Sequence, residues 1–558
     1  MVRTFETHKI RKYQELTGTG WTFTPFDGDK KGQSYAVVTP SCWESYPEFT
    51  GYRGAADYSI RVQAKGNLRL VCEGVSHTAH VYWDDDRIVE HYNAYTPFEV
   101  VIRDVDNGEH TLRINADNRF SKDSALHIPN DYMTYGGINR PIVLEQIPDC
   151  YIRWVHVSTS HTENGWKIQL EVQIENISNH DQQTDIRAEF AEKDYIWEKI
   201  TIPANKKSTL TQNVLCGAVE EWMPEHPKLY EINTVLYQNG EAVDDLIDRF
   251  GFREVTLQNK RICINGKSVR IKGFCRHEDH PQFGCALPLE AMAYDLDLIQ
   301  DLGANSVRTS HYPNDERFLD LCDERGILVW EENHARGLSL EDMQNPNFEP
   351  QAENVIREMI MAHYNHPSIY IWGILNECAS ETEYGKECYE KQFDLIRSMD
   401  QTRPCSFASC KFKTDICFGL PDVVSYNIYP YWYHDTPIEE YLEDLYQWVQ
   451  DETEGKGKPF LITEIGAGGI YGYRTPYEVK WTEEYQAKTV REQISTVLEN
   501  QNCCGVYIWQ FCDVRVSEEW FHIRPRCMNN KGIVDEYRRR KLSYQAVKDV
   551  YTQYGNYA

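Results

Sequence analysis

The sequence predicts a multidomain protein in which two β-sandwiches precede a (β/α)8 TIM barrel. Three observations lead to this fold class. The 558 residues are too many for one ordinary domain. The first part of the chain carries strand patterns without helices, and the last part alternates strands with helices. We therefore expect domains at residues 1–148, 149–253 and 254–558.

The first domain is predicted from strand signals that are separated by turns. Tyr58, Ile60 and Val62 alternate with polar neighbours, as in a half-buried strand. Asp106-Asn107-Gly108 is typical of a turn, and further strand-like runs precede and follow it. Because no helical periodicity separates these strands, the pattern favours a jelly-roll-like β-sandwich of the sugar-binding type.

The second domain shows the same alternation over a shorter stretch. Ile168, Leu170 and Val172 are separated by polar residues, which predicts one strand. Asn239-Gly240 between two apolar runs is a strong hairpin signal, because both residues tolerate the positive φ angles of a tight turn. A small immunoglobulin-like sandwich is expected here.

The third domain is predicted from eight strand-like runs with helical patterns between them. Leu289, Leu296 and Leu302 follow helical spacing, and Gly303 ends that helix. Eight repeated βα units predict a TIM barrel, whose functional groups lie at the carboxyl ends of its strands. The eight predicted strands are 269–274, 304–308, 327–330, 369–375, 405–408, 423–426, 460–463 and 506–511.

Composition excludes several classes of function. The formal charge of −28 repels nucleic acid and anionic membranes. No apolar run is long enough to span a bilayer, and no signal peptide is visible from Met1 to Leu16. The 17 cysteines are an odd number without Cys-x-x-Cys pairs, which predicts reduced thiols and a cytoplasmic location.

Two glutamates at predicted strand ends carry the functional argument. Glu377 follows the fourth strand, after Asn376, and Glu464 follows the seventh. These strands lie on roughly opposite sides of an eight-stranded barrel, so their end residues face each other across the pocket. Hydrolysis of a glycosidic bond needs two such carboxyl groups, one as proton donor and one as nucleophile or base.

Motifs in all three domains resemble one enzyme family, glycoside hydrolase family 2. The resemblance covers nearly the whole chain and implies the same order of sandwich, immunoglobulin-like domain and catalytic barrel. Its motifs are Asp131-Tyr132-Met133-Thr134-Tyr135-Gly136-Gly137-Ile138-Asn139-Arg140, Trp222-Met223-Pro224-Glu225, Arg276-His277-Glu278-Asp279, Arg308-Thr309-Ser310-His311-Tyr312-Pro313, His366-Pro367-Ser368, Asn376-Glu377 and Ile462-Thr463-Glu464.

The resemblance implies a retaining mechanism and a role for each matched residue. Glu377 would be the general acid/base and Glu464 the nucleophile of a double displacement through a covalent glycosyl ester. Asn376 would bind the sugar 2-hydroxyl, and Tyr429 would hold the carboxylate of the nucleophile. The residues expected at the substrate are Asp131, Trp154, His311, Arg336, Asn376, Tyr429, Tyr433, Trp509, Asn529 and Lys531.

A short motif after the eighth strand indicates the branch of the family. Asn529 and Lys531 resemble the Asn-x-Lys pair with which β-glucuronidases grip the carboxylate of their sugar. An ammonium group and an amide suit a C6 carboxylate better than a neutral hydroxymethyl group. The expected activity is exo-acting hydrolysis of terminal β-linked hexuronides.

Two departures from the glucuronidase pattern leave the C4 configuration of the sugar open. The start of the second domain, Ile152-Arg153-Trp154-Val155, lacks the acidic pair of those enzymes. Arg336 stands where they carry small apolar residues, and it either reaches the pocket or faces solvent. A β-galacturonide is as well supported as a β-glucuronide, with a slight preference for the galacturonide.

Other functions remain as alternatives. A β-galactosidase-type enzyme would act on neutral hexosides, and a degenerate family member would bind sugar without catalysis. The run from Arg276 to His280 lacks His-Glu-x-x-His spacing, so no metal is expected. No cofactor motif is present. The resemblance further implies a homo-oligomer of unspecified size, and the natural aglycone is not indicated.

Overall fold

The computed structural model describes residues 2–191 and 193–557 and contains two β-sandwiches and a closed eight-stranded barrel. The predicted fold class is therefore confirmed. The division of the chain after residues 148 and 253 stays a prediction. Among the described residues, no helix combines the length and the apolar composition needed to cross a membrane.

The first sandwich consists of an eight-stranded and a three-stranded sheet. The strands of the larger sheet are Lys12–Glu15, Gly18–Pro25, Tyr35–Thr39, Ala55–Cys72, Thr78–Trp83, Asp86–Tyr92, Phe98–Asp117 and Ile142–Ile147. Those of the smaller sheet are Ser41–Cys42, Val75–Ser76 and Gly137–Ile138. Short 3-10 helices at Trp43–Ser45 and Pro47–Phe49 join them.

Two strands of this sandwich are longer than the sequence predicts. The turn expected at Asp106-Asn107-Gly108 lies inside the strand Phe98–Asp117, which pairs with Ala55–Cys72 along almost its whole length. The register shifts around Gly66, whose φ of 76° only glycine adopts easily. The glycine-containing segments therefore form a bulge in a continuous ladder, and the chain does not reverse there.

The second sandwich has a three-stranded and a four-stranded sheet. The predicted hairpin at Asn239-Gly240 is confirmed, since both residues have positive φ angles of 52° and 82°. The strands are Cys150–Thr162, Gly165–Asn176, Gln182–Phe190, Lys193–Ile202, Lys206–Gly217, Tyr230–Gln238 and Glu241–Phe250. Short strands lie before Tyr230 at Trp222–Met223 and His226–Pro227, and after Phe250 at Val255–Gln258, Arg261–Ile264 and Lys267–Ser268.

The eight barrel strands are parallel, and the first pairs with the last to close the barrel. Their residues are buried, as expected for strands covered on both faces. We number them β1 (Ile271–Cys275), β2 (Ser306–Arg308), β3 (Leu328–Glu332), β4 (Ile369–Ile374), β5 (Cys405–Ser409), β6 (Val424–Asn427), β7 (Phe460–Ile465) and β8 (Cys503–Ile508).

Helices surround the barrel but do not follow every strand. Residues 410–423, all of which the structure describes, form turns and no helix between β5 and β6. The helices are α1 (Leu289–Asp301), α2 (Glu316–Arg325), α3 (Leu340–Met343), α4 (Phe348–His363), α5 (Glu383–Met399), α6 (Ile438–Glu452), α7 (Glu483–Glu499) and α8 (Leu542–Tyr551). After β8 come two short strands, Val514–Arg515 and Met528–Asn529, and between them two 3-10 helices, Glu518–Trp520 and Pro525–Cys527.

The first sandwich packs against the carboxyl end of the barrel. The ring of Tyr95 stacks on Tyr312, which follows β2, with ring centroids 3.8 Å apart. Arg140 donates to the carboxylate of Glu278, after β1, at 2.9 Å, and both side chains are buried. These contacts hold the segment around Asp131 over the mouth of the barrel.

A buried arginine joins the two sandwiches and generates a stability prediction. Arg11 donates to Asp244 of the second sandwich and to Glu145 of the first, at 2.7–2.9 Å. Removing one partner of a buried ion pair costs about 3–5 kcal/mol. We expect Arg11→Ala to destabilise the two sandwiches by about this amount and to lower the urea concentration at which they unfold. Arg61→Ala, which breaks an exposed pair with Glu109, is the control. Equal, small shifts in both variants would contradict this account.

Candidate active site

The carboxyl ends of the barrel strands enclose a cavity of about 300 Å³. Acidic, basic and aromatic side chains share its walls, and both glutamates singled out in the sequence are among them. The lining residues are Asp131, Arg336, Glu377, Cys410, Asn427, Tyr429, Tyr433, His434, Tyr441, Glu464, Trp509 and Lys531.

Glu464 lies on β7, and both of its carboxylate oxygens are held. Arg308, the last residue of β2, donates from Nη1 to Oε1 at 2.8 Å. The hydroxyl of Tyr429 donates to Oε2 at 2.6 Å. A carboxylate bound in this way cannot rotate freely, so its orientation toward the cavity is fixed before a substrate arrives.

Glu377 stands on a strained piece of backbone directly after β4. Its φ angle is 54° and that of Leu375 is 47°, a left-handed conformation that such residues rarely adopt. The surrounding strands hold it there: the amide of Glu377 donates to the carbonyl of Ala408, and the amide of Leu375 donates to the side chain of Asn333. Strain of this kind is concentrated at functional sites.

The carboxylate of Glu377 has fewer partners than that of Glu464. Asn427 at the end of β6 donates to Oε1 at 3.0 Å. The guanidinium of Arg336 lies 3.6 Å from Oε2. Glu377 is also more exposed to the cavity, with 19% of its side chain accessible against 5% for Glu464. One carboxylate is therefore clamped, while the other is open to a ligand.

The two glutamates are electrostatically coupled. Burial, followed by the negative charge of Glu377, raises the pKa of Glu464 to about 7. Arg308 and Tyr429 act in the opposite direction, because both stabilise the ionised form. Two like charges that share a buried site retain a proton more strongly than an isolated carboxyl group does. The pair can therefore hold one proton near neutral pH.

Arg308 also fixes the amide of Asn376. It donates to Oδ1 of Asn376 at 2.8 Å and forms a buried ion pair with Glu332 at the end of β3. Asn427 donates to the same Oδ1 at 3.1 Å. The Nδ2 of Asn376 is buried and has no hydrogen-bond partner among the described residues. It is therefore a donor available to a ligand hydroxyl.

Lys531 brings a positive charge to the cavity wall. Its ammonium group donates to the hydroxyl of Tyr433 at 2.8 Å. It also lies 4.9 Å from the ring of Tyr433, 5.2 Å from that of Tyr429 and 5.7 Å from that of Trp432. Within the described chain no carboxylate forms an ion pair with Lys531, so its charge can meet that of an anionic ligand.

Asp131 of the first sandwich adds a carboxylate to the cavity. Arg524 donates to its Oδ2 at 2.9 Å, Asn529 donates to the same oxygen at 3.1 Å, and Arg336 lies 3.6 Å from Oδ1. Burial opposes ionisation here, but the surrounding cations hold the pKa of Asp131 well below its usual range. This side chain is an anion that accepts hydrogen bonds.

Most of the residues predicted from the sequence lie at or beside this cavity. Asp131, Arg336, Tyr429, Tyr433, Trp509 and Lys531 line it with the two glutamates. His311 lies behind the wall: its Nε2 is 4.0 Å from Glu464, and its ring stacks on Trp509 with centroids 4.9 Å apart. Asn376 and Asn529 touch lining residues through the hydrogen bonds already described. Arg336 lines the cavity, whereas the sequence did not decide between the cavity and the solvent for this residue.

Trp154 requires a correction. It lines a different cavity, between the two sandwiches and the barrel, which does not contain either glutamate. Asp131 of the first sandwich places a carboxylate on the active-site cavity. We therefore withdraw Trp154 from the residues expected at the substrate.

Five further residues at the site are absent from the residues expected at the substrate. Asn427 ends β6 and Cys410 follows β5, so the strand-end rule could have found both. His434 and Tyr441 lie beyond β6, and their stacked rings, 4.8 Å apart, carry no local signal. Arg524 reaches Asp131 from the loop after β8. Only the packing of that loop against the first sandwich brings them together.

One cluster outside the cavity has the composition of a metal site. Ligand atoms of Asp320, Asp323 and His366 lie within 4.8 Å of one another. The guanidinium of Arg3 donates to both oxygens of Asp320 at 2.6–3.1 Å, and it also pairs with Asp248 and Glu316. Because an internal cation already occupies this cluster, we propose no metal there.

Comparison with known families gives two matches. A model described as the TIM barrel domain of glycosyl hydrolases family 2 matches residues 255–556. A second model, described as glycosyl hydrolases family 2, matches residues 150–253. Together they cover the barrel and the second sandwich.

Individual relatives extend the match to the whole chain. The crystal structure of a family 2 β-galacturonidase from Eisenbergiella tayi, bound to galacturonate, covers 100% of both chains with 57% identity and a TM-score of 0.98. A β-glucuronidase from Streptococcus agalactiae is 26% identical over 85% of this chain and 83% of its own. A relative from Formosa agariphila is 25% identical over 90% of this chain, which spans 65% of that relative's length, less than two thirds.

Proposed function

The chain belongs to glycoside hydrolase family 2, and we propose that it is a retaining, exo-acting β-hexuronidase that prefers β-D-galacturonides. One observation carries this proposal. Glu377 and Glu464 share a cavity whose wall also presents the ammonium group of Lys531. Two carboxyl groups supply the chemistry of glycoside hydrolysis, and the cation supplies affinity for an acidic sugar.

In the first step, Glu464 is the nucleophile. Its ionised carboxylate attacks the anomeric carbon, and the bond from that carbon to the glycosidic oxygen breaks. Glu377 donates its proton to the departing oxygen, so the aglycone leaves as a neutral alcohol. Arg308 holds Oε1 of this carboxylate in place, and Tyr429 holds Oε2.

In the second step, the covalent glycosyl ester is hydrolysed. Glu377, now ionised, accepts a proton from a water molecule as the water oxygen attacks the anomeric carbon. The ester bond breaks and Glu464 leaves as a carboxylate, which restores the starting state. Two inversions at the same carbon give net retention of the β configuration. We assign the buried amide of Asn376, whose Nδ2 has no partner among the described residues, to the sugar 2-hydroxyl in both steps.

The charge of the cavity supports a uronide over a neutral hexoside. Lys531 has aromatic and hydroxyl neighbours, whereas Asp131 already has three cationic or amide partners. A C6 carboxylate would give the ammonium group of Lys531 an anionic partner. A neutral hydroxymethyl group would leave this charge underused, which disfavours the galactosidase alternative.

The preference for galacturonide rests on two observations. The chain is 57% identical to a β-galacturonidase over the full length of both proteins. Arg336 and Asp131 lie 3.6 Å apart on the cavity wall, where they can bind a sugar hydroxyl as donor and acceptor. We assign them to the axial C4 hydroxyl of galacturonic acid. A non-catalytic binding role is disfavoured, since both glutamates lie in one cavity, with Glu464 fixed by two hydrogen bonds and Glu377 open to a ligand.

We also propose a cytoplasmic location and a homo-oligomeric state. All 17 cysteines are free thiols, and most of them are buried, which suits a reducing compartment. The oligomer is proposed from the family resemblance alone.

Hydrolysis of three nitrophenyl glycosides tests the proposed substrate. We expect kcat/KM to be highest for the β-D-galacturonide, lower for the β-D-glucuronide and lowest for the β-D-galactoside. Lys531→Met, which keeps the side-chain length and removes the charge, should lower kcat/KM for the uronides by about 10- to 100-fold and leave the galactoside within about threefold.

Lys480→Met is the matched control for this variant. Lys480 lies over the same ring of Trp432, at 5.8 Å, but it does not line the cavity. Its replacement should leave all three rates close to those of the wild type. Equal losses on uronides and galactoside in Lys531→Met would exclude a carboxylate site, and faster hydrolysis of the glucuronide would reverse the assigned C4 preference.

Glu464→Gln should abolish turnover while the fold is kept. An amide cannot form the glycosyl ester, so we expect kcat to fall by at least about 1000-fold. In the wild type, NMR of the first sugar released should show the β anomer, as retention requires. Circular dichroism checks the fold. Residual activity near the wild-type level, or release of the α anomer first, would remove the assigned nucleophile.

The proton shared by the two glutamates predicts the basic limb of the pH profile. The active form carries one proton, on Glu377, while Glu464 is ionised; the pair loses this proton as the pH rises through about 7, so kcat/KM should fall above that pH. Tyr429→Phe removes a hydrogen bond that favours the ionised form, and it should move this limb to higher pH and lower the optimum rate about 10- to 100-fold. Tyr433→Phe, which contacts Lys531 instead, should leave the limb in place. If the limb of Tyr429→Phe lies at the same pH as that of the wild type, its assignment to the carboxyl pair of Glu377 and Glu464 is wrong.

A further inference from the structure

A second cavity, of about 680 Å³, lies where the two sandwiches meet the barrel. Its walls include residues of the strands Phe98–Asp117 and Cys150–Thr162 and of helix α4. Among the described residues, none lines both this junction cavity and the active-site cavity. A space of this size accommodates a drug-sized molecule.

One wall of the junction cavity is the end of an aromatic stack. The indole of Trp154 lies on the imidazole of His156 with centroids 4.2 Å apart, and His156 lies on Tyr364 at 4.3 Å. The Nε2 of His156 is 3.1 Å from the carbonyl of Met361, and burial lowers the pKa of His156 to about 4. The imidazole is therefore a neutral, fixed ring that holds the indole in position.

Trp154 can accept a second ring on its other face. Within the described chain, the only ring that stacks on it is that of His156. Trp154 is partly exposed, and it lines the junction cavity. A planar molecule in the cavity could continue the stack by one ring, which is the favoured geometry for aromatic contacts.

A second stacked pair comes from the first sandwich. Phe98 and His91 lie parallel with centroids 4.3 Å apart, and both line the cavity. The Nε2 of His91 is 3.0 Å from the carboxylate of Glu358 on α4, so this pair is also fixed in place. The lining also includes apolar side chains, among them Val89, Leu246 and Met361, and polar ones such as Gln173, Asn354 and Asn365.

Charged groups at the cavity are unequally satisfied. The carboxylate of Glu99 lies between Arg69 and Arg153, and although burial opposes it, their charges lower the pKa of Glu99 to about 2. Arg153, which pairs with Glu99, and Arg357, which lies 3.8 Å from Glu353, remain partly exposed, with 28% and 54% of their side chains accessible. Glu73, Glu90, Asp248 and Glu358 also line the cavity. Guanidinium groups in this position can bind a carboxylate or sulfonate.

We propose that the junction cavity binds a small planar aromatic molecule that carries an acidic group, with its ring stacked on Trp154. The apolar side chains exclude water from the ring, and the accessible arginines bind the acidic group. This site is independent of the proposed hydrolysis.

Binding at this site would stabilise the arrangement of the domains. A ligand that contacts both sandwiches and α4 binds the assembled protein and not the unfolded chain. The free energy of unfolding therefore rises with the logarithm of the ligand concentration once that concentration exceeds the dissociation constant. Thermal unfolding should shift to higher temperature as the ligand is added.

The probe for this test is 1-anilinonaphthalene-8-sulfonate, titrated by fluorescence and calorimetry in the presence of excess D-galacturonate. We expect one saturable site per chain and a rise in the unfolding midpoint. Trp154→Ala removes the stacking surface, and Ala362→Trp fills the cavity while it keeps Trp154. Each should weaken binding at least tenfold.

The control is Tyr477→Ala, which removes an exposed aromatic residue that does not line the cavity. It should bind the probe as the wild type does, and kcat/KM on the nitrophenyl uronide should stay within twofold in every variant that folds. If Trp154→Ala does not fold, Ala362→Trp decides. Absence of saturable binding, equal binding by Ala362→Trp and wild type, or displacement of the probe by galacturonate would each overturn the proposal.

Discussion

The buried guanidinium of Arg308 is the interaction on which the rest of the site depends. It joins β2 to Glu332 on β3, to Asn376 after β4 and to Glu464 on β7. A charge without access to water is tolerated only when its partners surround it. The hydrogen bonds that make the burial of Arg308 possible also fix the carboxylate of Glu464 and the amide of Asn376. The same contacts therefore stabilise the fold and orient the groups of the active site.

The charges of the cavity are local exceptions to the charge of the whole chain. With a net charge of −28, the protein as a whole repels an anionic sugar. Charges beyond about 8 Å are screened at physiological ionic strength, so the neighbouring groups dominate. Lys531 and Arg336 lie on the cavity wall, and Arg524 lies beside Asp131, so three cations are among the groups nearest to a ligand. In the part of the chain that the structure describes, no carboxylate forms an ion pair with Lys531.

The sequence predicts the parts of this site that depend on strand order alone. Glu377 and Glu464 each follow an apolar run, and the barrel rule brings such ends together. Trp154 was misplaced because a sequence shows that a residue is aromatic but not which cavity its strand faces. Arg524 was missed for a related reason: its contact with Asp131 joins residues far apart in the chain. Gly108 suggested a turn, whereas pairing over the whole strand produced a bulge.

Because Asp131 belongs to the first sandwich, the active site is complete only when that domain sits correctly on the barrel. The stacking of Tyr95 on Tyr312 and the pair of Arg140 with Glu278 hold it there. The junction cavity depends on the same placement. A ligand in it can change the reaction only if it binds one domain arrangement better than another. If a single arrangement is populated, the ligand adds stability and leaves catalysis unchanged.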